Sequence, residues 1–308
     1  MLPKEFKENR ASCIEVLFNL FKAVPSNYYQ KEELHENDLT TTITQLQVIK
    51  QKLNKKDTGF DYVELSSDYL NAFDQKVFRA ILQVVYNQKE VPLKLSDLTV
   101  AKSLNEEYIS IERKLYSNSI NIDINYFYKL INPKSKTRAS SNIFKKLSNS
   151  LIRLSKVILY FYTKDKSKII SAPLLIFTKN NSELFLQVHP LINAYNFESL
   201  NHKSLIKPKQ NYYKIDNHDF FNLNNSIQQL LYSKIQYKFA SMPKIHNEIC
   251  FDFNLLKSQI FLSTDSKKTR SNQSSKLKNA IKELDTNCSY SLRLEGTSRT
   301  LQLIVKRD

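Results

Sequence analysis

The stretch "IDINYFYKLINPKSKTRASSNIFKKLSNSLIRL", residues 122–154, returns in altered form as "FDFNLLKSQIFLSTDSKKTRSNQSSKLKNAIKEL", residues 251–284. Both open apolar–Asp–apolar–Asn, so Asp123 and Asn125 answer to Asp252 and Asn254, 129 residues later. An Asp at that point caps a short apolar helix by accepting from its first unbonded amides. A lysine-rich polar turn comes next, then a longer helix. In it Leu147, Leu151 and Leu154 match Leu277, Ile281 and Leu284, with the same spacings of four and three. That spacing is one face of an α-helix. The repeat predicts two copies of one helix-turn-helix.

The segments after the two long helices extend the repeat. "KVILYFY" (156–162), "IISAPLLIF" (169–177) and "ELFLQV" (183–188) are strand-like runs parted by polar turns. After the second helix come "YSLRLEG" (290–296) and "TLQLIVKR" (300–307), a hairpin pair around Gly296. Helix, turn, helix and hairpin in that order is the winged-helix arrangement. The expected fold class is α+β: two tandem winged-helix domains with an N-terminal helical extension. The extension and the first domain fill residues 1–205 and the second domain 206–308, divided near "KSLIKPKQ" (203–210), which Pro208 breaks. Four stripes at helical spacing support the extension: Ile14, Leu17, Phe18, Phe21 and Val24; Ile43, Leu46, Ile49 and Leu53; Leu70, Phe73, Val77, Ile81 and Val84; and Leu98, Ala101, Tyr108, Ile111 and Leu115.

The 308 residues carry a formal net charge of +16, and 41% are hydrophobic. The chain is therefore globular, and its charge favours a polyanionic partner. Lysine is abundant beside Asn, Ile and Tyr, as coding bias alone would make it, so position matters more than total. Between Pro133 and Lys168 ten basic residues face one acid, Asp165, and residues 266–282 hold six basic residues and no acid. Residues 31–39 and 97–112 are net acidic. The charge gathers on the repeated motif.

Much chemistry is excluded. Gly59 and Gly296 are the only glycines, too few for a phosphate-cradling loop or a dinucleotide fingerprint. His35, His189, His202, His218 and His246 show no metal-ligand spacing, and Cys13, Cys250 and Cys288 form no C-x-x-C pair. No G-x-S-x-G elbow occurs. A tyrosine nucleophile among 17 tyrosines is unmarked. The expectation is a protein without enzymatic activity, cofactor or metal. With no apolar run long enough to span a bilayer and no signal peptide, it is expected in the cytoplasm, away from membranes.

"INYFYKLI" with "SSNIFKKLSNSLIRLSKVILYF", "ELFLQVHPLINAY", "NSIQQLLYSKIQY" and "SNQSSKLKNAIKEL" with its wing together resemble the iteron-binding replication initiators of plasmids, in particular the replication protein C type of IncQ-type plasmids. Proteins of that type are richer in Arg on the second recognition helix, where this chain has Ser271, Asn272, Ser274 and Ser275. The resemblance implies binding to direct repeats (iterons) at an origin, opening of an adjacent AT-rich segment, and helicase and primase proteins as partners. The residues themselves support the first of these. A tandem winged-helix transcriptional repressor would carry the same helices and charges.

The DNA-binding candidates are Lys134, Lys136, Arg138, Ser141, Asn142, Lys145, Lys146 and Asn149 in the first copy. In the second they are Lys267, Lys268, Arg270, Asn272, Gln273, Lys276, Lys278 and Asn279. Lysines suit phosphates. Amides near a helix start pair bidentately with adenine, and Arg138 and Arg270 suit guanine or phosphate. The expected binder is a monomer or weak dimer whose two halves read one stretch of double-stranded DNA.

Overall fold

The computed structural model describes residues 9–12, 19–24, 47–52, 61–87, 119–135, 140–180, 183–188, 212–215, 217–223, 225–240, 242, 246–297 and 300–307. They form an α+β assembly of helices and small antiparallel sheets.

The first described elements are β1 (Asn9–Ser12), β2 (Gln47–Lys52), β3 (Tyr62–Ser67) and α1 (Ala72–Asn87). Only α1 follows the helical expectation for the N-terminal extension, along the stripe from Leu70 to Val84. Its start is fixed locally: Asn71 Oδ1 accepts from the amides of Phe73 and Asp74, and Asp74 Oδ2 accepts from the Asn71 amide. The stripe Ile43 to Leu53 is corrected, because residues 47–52 are strand β2, paired with β3 from Gln47–Ser67 to Lys52–Tyr62. A short run such as "QVIKQK" fits a period of two as well as one of 3.6, and the partner strand decides. The stripe from Ile14 to Val24 is also not helical where it is described. Residues 19–24 are irregular, with Lys22 N–H donating to Leu70 O and Ala23 N–H to Ile260 O. The stripe from Leu98 to Leu115 lies outside the described residues, as does the 203–210 boundary.

The first repeat unit runs β4 (Ser119–Asp123), α2 (Ile124–Ile131), α3 (Ser141–Ser155), β5 (Ile158–Tyr162), β6 (Ile169–Pro173), β7 (Leu175–Lys179) and β8 (Glu183–Val188). After it come β9 (Tyr212–Ile215), α4 (Asn217–Asn222) and α5 (Ser226–Ala240). The second unit runs β10 (Glu248–Asp252), α6 (Phe253–Ile260), α7 (Lys267–Asn287), β11 (Tyr290–Glu295) and β12 (Gln302–Arg307).

The two units share one connectivity. In each, the strand before the helices pairs with the last strand, which lies in the middle: the orders are β4-β8-β7 and β10-β12-β11. The capping residues occupy the same place, Asp123 opposite Glu183 and Asp252 opposite Gln302. Asp123 accepts from Tyr126 N–H at 2.8 Å and Asp252 from Leu255 N–H at 2.7 Å. Leu147, Ser150, Leu151 and Leu154 are buried in α3, as are Leu277, Ala280, Ile281 and Leu284 in α7. The sequence repeat is thus a structural repeat. One expectation changes: β5 does not belong to the first unit's hairpin. With β6 it forms an inserted hairpin that pairs with β3 in a separate sheet, β2-β3-β5-β6.

One hydrophobic core runs from Leu20 to Val305 through both units. Helix α5 lies in it, with Gln228, Gln229, Ser233 and Gln236 buried beside its apolar residues. Helix α1 ties the first unit to α4 and α5, the elements that lead into the second, through buried polar groups. Asp74, wholly buried, holds Arg153 of α3 through two bonds of 2.8 and 3.1 Å. On its other side Lys76 Nζ donates to Phe221 O at 3.0 Å, and Arg79 lies 4.0 Å from the Phe220 ring centre while donating to Gln236 of α5 at 3.3 Å.

Candidate nucleic-acid interface

Burial of one stripe on α3 and α7 decides which side chains remain outside. On α3, Ser141, Asn142, Lys145, Lys146, Ile152 and Lys156 are exposed and Asn149 is half-buried. Lys146 is not available in the same sense as Lys145. Its ammonium lies 4.6 Å from the centre of the Phe73 ring, on α1. Arg153, two turns further on the same side, is committed to Asp74. The side of α3 turned from α1 and from the core is a single row: Asn142, Lys145, Asn149, Ile152 and Lys156, at spacings of three and four. Ile152 and Lys156 are additions to the sequence candidates. Extending the row from Asn142 by helical steps would have found them. Lys134 is exposed in the turn before α3, while Lys136 and Arg138 fall outside the described residues.

Helix α7 is more open. Every residue from Asp265 to Asn272 is exposed, as are Ser275, Lys276, Lys278 and Asn279. Ser266 Oγ caps the helix by accepting from Thr269 N–H. Lys267, Lys268 and Arg270 then fall in the first turn, where no acid offsets them. Cations there oppose the helix dipole, and the unbonded amides of the same turn add to their positive potential. A bound anion relieves both. The first acid of the helix, Glu283, is exposed and accepts from Gln228 of α5 at 2.6 Å. The cationic end projects while the acidic end is anchored.

The structure separates the α7 candidates. Lys267, Lys268, Asn272, Lys276, Lys278 and Asn279 are exposed. Arg270 reaches back to the Asp265 carbonyl at 3.3 Å and stays exposed. Gln273 differs: it is half-buried, and its Nε2 donates to Leu262 O at 3.1 Å. Its amide braces the turn between α6 and α7. Lys257 of α6 does similar work by donating to Ser274 Oγ at 3.1 Å.

Beside α7 stands the β11–β12 hairpin. Its turn contains Gly296 at φ 103°, a backbone conformation open mainly to glycine. Beside α3, the β7–β8 hairpin leans on the helix through Lys179, which donates to Ser148 Oγ at 2.9 Å. Each unit therefore presents one exposed helix face flanked by a hairpin.

Among the described residues no cluster of His, Cys, Asp or Glu could hold a metal ion, and no helix is long and apolar enough to cross a membrane. No protein-family model and no curated protein matches the chain. Solved structures similar to it include two crystal structures of domains 2 and 3 of RctB. One, of selenomethionine derivatives, has a TM-score of 0.44 at 11% identity, and the other has 0.43 at 10%. Each likeness covers 85% of this chain and 91% of the other. Similarity at this level establishes neither fold nor function.

Proposed function

We propose that the chain is a non-enzymatic, sequence-specific binder of double-stranded DNA whose two repeat units are winged helices. The observation that carries this reading is the exposed face of α7, with Lys267, Lys268, Arg270, Lys276 and Lys278 and no acid before Glu283. Its counterpart is the row Asn142, Lys145, Asn149 and Lys156 on α3. Lysines at these positions suit phosphates, which set register without reading sequence. Asn142 and Asn272, near the starts of their helices, suit adenine edges in the major groove. Gln273 is better placed as a brace than as a reader.

Within that class we favour a plasmid-type replication initiator acting in the cytoplasm. The support is the sequence resemblance to the iteron-binding initiators, together with a chain that carries two such units in tandem. On this reading it binds direct repeats at an origin, promotes opening of the DNA beside them, and attracts helicase and primase proteins. A transcriptional repressor is the alternative. Footprinting on the DNA flanking the gene separates them: repeated sites of about twenty base pairs beside an AT-rich tract support the initiator, whereas a single palindrome over a promoter supports the repressor.

A single chain should occupy two successive major grooves, about 10–10.5 base pairs apart. The units are joined by α1 and α5 as well as by the 203–210 segment, so the spacing between them is not set by a tether alone. Inserting five base pairs between half-sites should abolish two-unit binding, and so should inserting ten. Full affinity with the ten-pair insertion would overturn the tandem-monomer reading in favour of two independent subunits.

A further inference from the structure

Among the described residues, the sheet β2-β3-β5-β6 has no counterpart in the second unit. Its register places Lys50, Glu64, Tyr160 and Ser171 in one row, and Lys52, Tyr62, Tyr162 and Ile169 in the next. The other set of positions on these strands includes Val63, Leu65, Leu159 and Phe161, all buried in the core. The first set therefore forms the outward face, on which Tyr62 and Glu64 are half-buried and Tyr162 is buried by its neighbours. The Tyr62 and Tyr162 rings lie 5.6 Å apart, and Lys50 Nζ sits 4.1 and 5.3 Å from their centres. Tyr160 is half-buried beside them, while Ile169 and Val48, at 58% exposure each, are left open at the margins.

The turn from β5 to β6 adds charge to this face. Lys164, Lys166 and Lys168 are all exposed, and Lys166 takes a left-handed φ of 57°. Three carboxylates share the region, and each accepts local hydrogen bonds. Asp61 accepts from Lys164 N–H at 2.8 Å, and Glu64 from the Tyr162 hydroxyl at 3.1 Å. Asp165 accepts from the Ser167 amide and hydroxyl, and hydrogen bonds from Thr163 and Ser167 hold its carboxyl down at about 2. None of the three turn lysines is ion-paired among the described residues.

The half-buried rings of Tyr62 and Tyr160 on the outward sheet face, packed beside buried Tyr162 and with a lysine-bearing turn at the end, combine the two parts of a single-strand nucleic-acid platform. Bases stack on aromatic rings whatever their identity, and ammonium groups follow the backbone. A duplex offers no such base faces. We infer that the outward face of β2-β3-β5-β6, with Tyr62, Tyr160, Lys50 and the lysines of the 163–168 turn, binds single-stranded nucleic acid separately from the α3 and α7 faces. Lys50 lies across the rings in the free protein, and an incoming base displaces its ammonium toward a phosphate.

The test uses the full chain, a fluorescent twenty-residue oligothymidylate, oligouridylate of the same length, and a random duplex, each in fluorescence anisotropy. Lys164→Gln, Lys166→Gln and Lys168→Gln combined lie in an exposed turn and leave the core untouched. They should lower the salt slope on the single strand by about 2, at about 0.7 per phosphate contact, with the duplex slope unchanged. Tyr160→Ala should weaken single-strand binding on the order of five- to a hundredfold, whereas Tyr160→Phe, which keeps the π face, should not. Loss with DNA and RNA alike supports a stacking platform, and loss with one names the strand it prefers. Three results would overturn the inference: no single-strand binding by the wild type, equal loss on single strand and duplex, or single-strand binding abolished by Lys276→Ala but not by the turn variants. Failure of duplex binding alone would sink the proposed function and leave this site standing.

Discussion

Lys145 and Lys146 are adjacent and chemically identical, yet the fold gives them different work. Lys145 stands in the exposed row of α3, whereas the Lys146 ammonium lies 4.6 Å from the Phe73 ring centre on α1. Each should be replaced by Ala and titrated against random duplex DNA from 50 to 200 mM salt. Loss of one phosphate contact lowers the slope of log affinity against log salt by about 0.9, so over that fourfold range the Lys145→Ala deficit shrinks by about 3.5-fold. Lys146→Ala should leave the slope unchanged. It should instead remove a cation–π contact worth about 0.5–1 kcal/mol, visible as a fall of about 1–3 °C in Tm. Equal slope changes for the two variants would refute the reasoning, since Lys146 would then leave Phe73 to meet DNA. No change for Lys145→Ala would show that the exposed row does not face phosphate.

Asp74→Ala strands Arg153 and removes half of the reciprocal cap with Asn71, so it should cost about 3–5 kcal/mol in urea unfolding; a cost below about 1 kcal/mol would show that the pair is not what joins α1 to α3. Gly296→Ala places a Cβ 2.5 Å from Thr300 O at φ 103° and should cost about 1–3 kcal/mol by the same measurement. Gln273→Ala should weaken binding to cognate and random DNA equally, because its amide braces Leu262 O; loss confined to the cognate site would return it to base reading. Burial pushes the ammonium groups of Lys76 and Lys22 down to about 8, whereas the unfolded chain keeps these protons up to about 10.4. Between those values the unfolded state binds more protons, so stability rises with pH. Lys76→Met should reduce that rise in urea melts between pH 8 and 10, and an unaltered pH dependence would show that Lys76 is solvated.

Short-range chemistry is what the sequence makes legible. Asp123 and Asp252 announce helix starts because a cap acts within three residues, and the triads at 147, 151, 154 and 277, 281, 284 announce buried faces because helical periodicity is local. Strand β2 reads as helix because six residues containing Val48 and Ile49 satisfy either period, and β3 settles the matter from outside. Strand β5 reads as part of the wrong sheet because its partner, β3, lies nearly a hundred residues earlier. The division between Lys145 and Lys146 is likewise hidden, since nothing near residue 146 tells that Phe73 will meet it. The same holds for Gln273, whose partner is a backbone carbonyl and so leaves no mark on composition.

The bracket formed by α1 has a mechanical consequence. Asp74 grips α3, while Lys76 and Arg79 grip the segment leading into the second unit. A protein braced in this way acts as a gauge of fixed length and phase. If its two helices engage one duplex, any mismatch between the gauge and the helical repeat must be absorbed by the DNA. The energy of bending or twisting then falls on base pairs that no side chain touches, and pliable pyrimidine–purine steps absorb it most cheaply. The spacer between half-sites thereby becomes part of the recognised sequence, read by its stiffness.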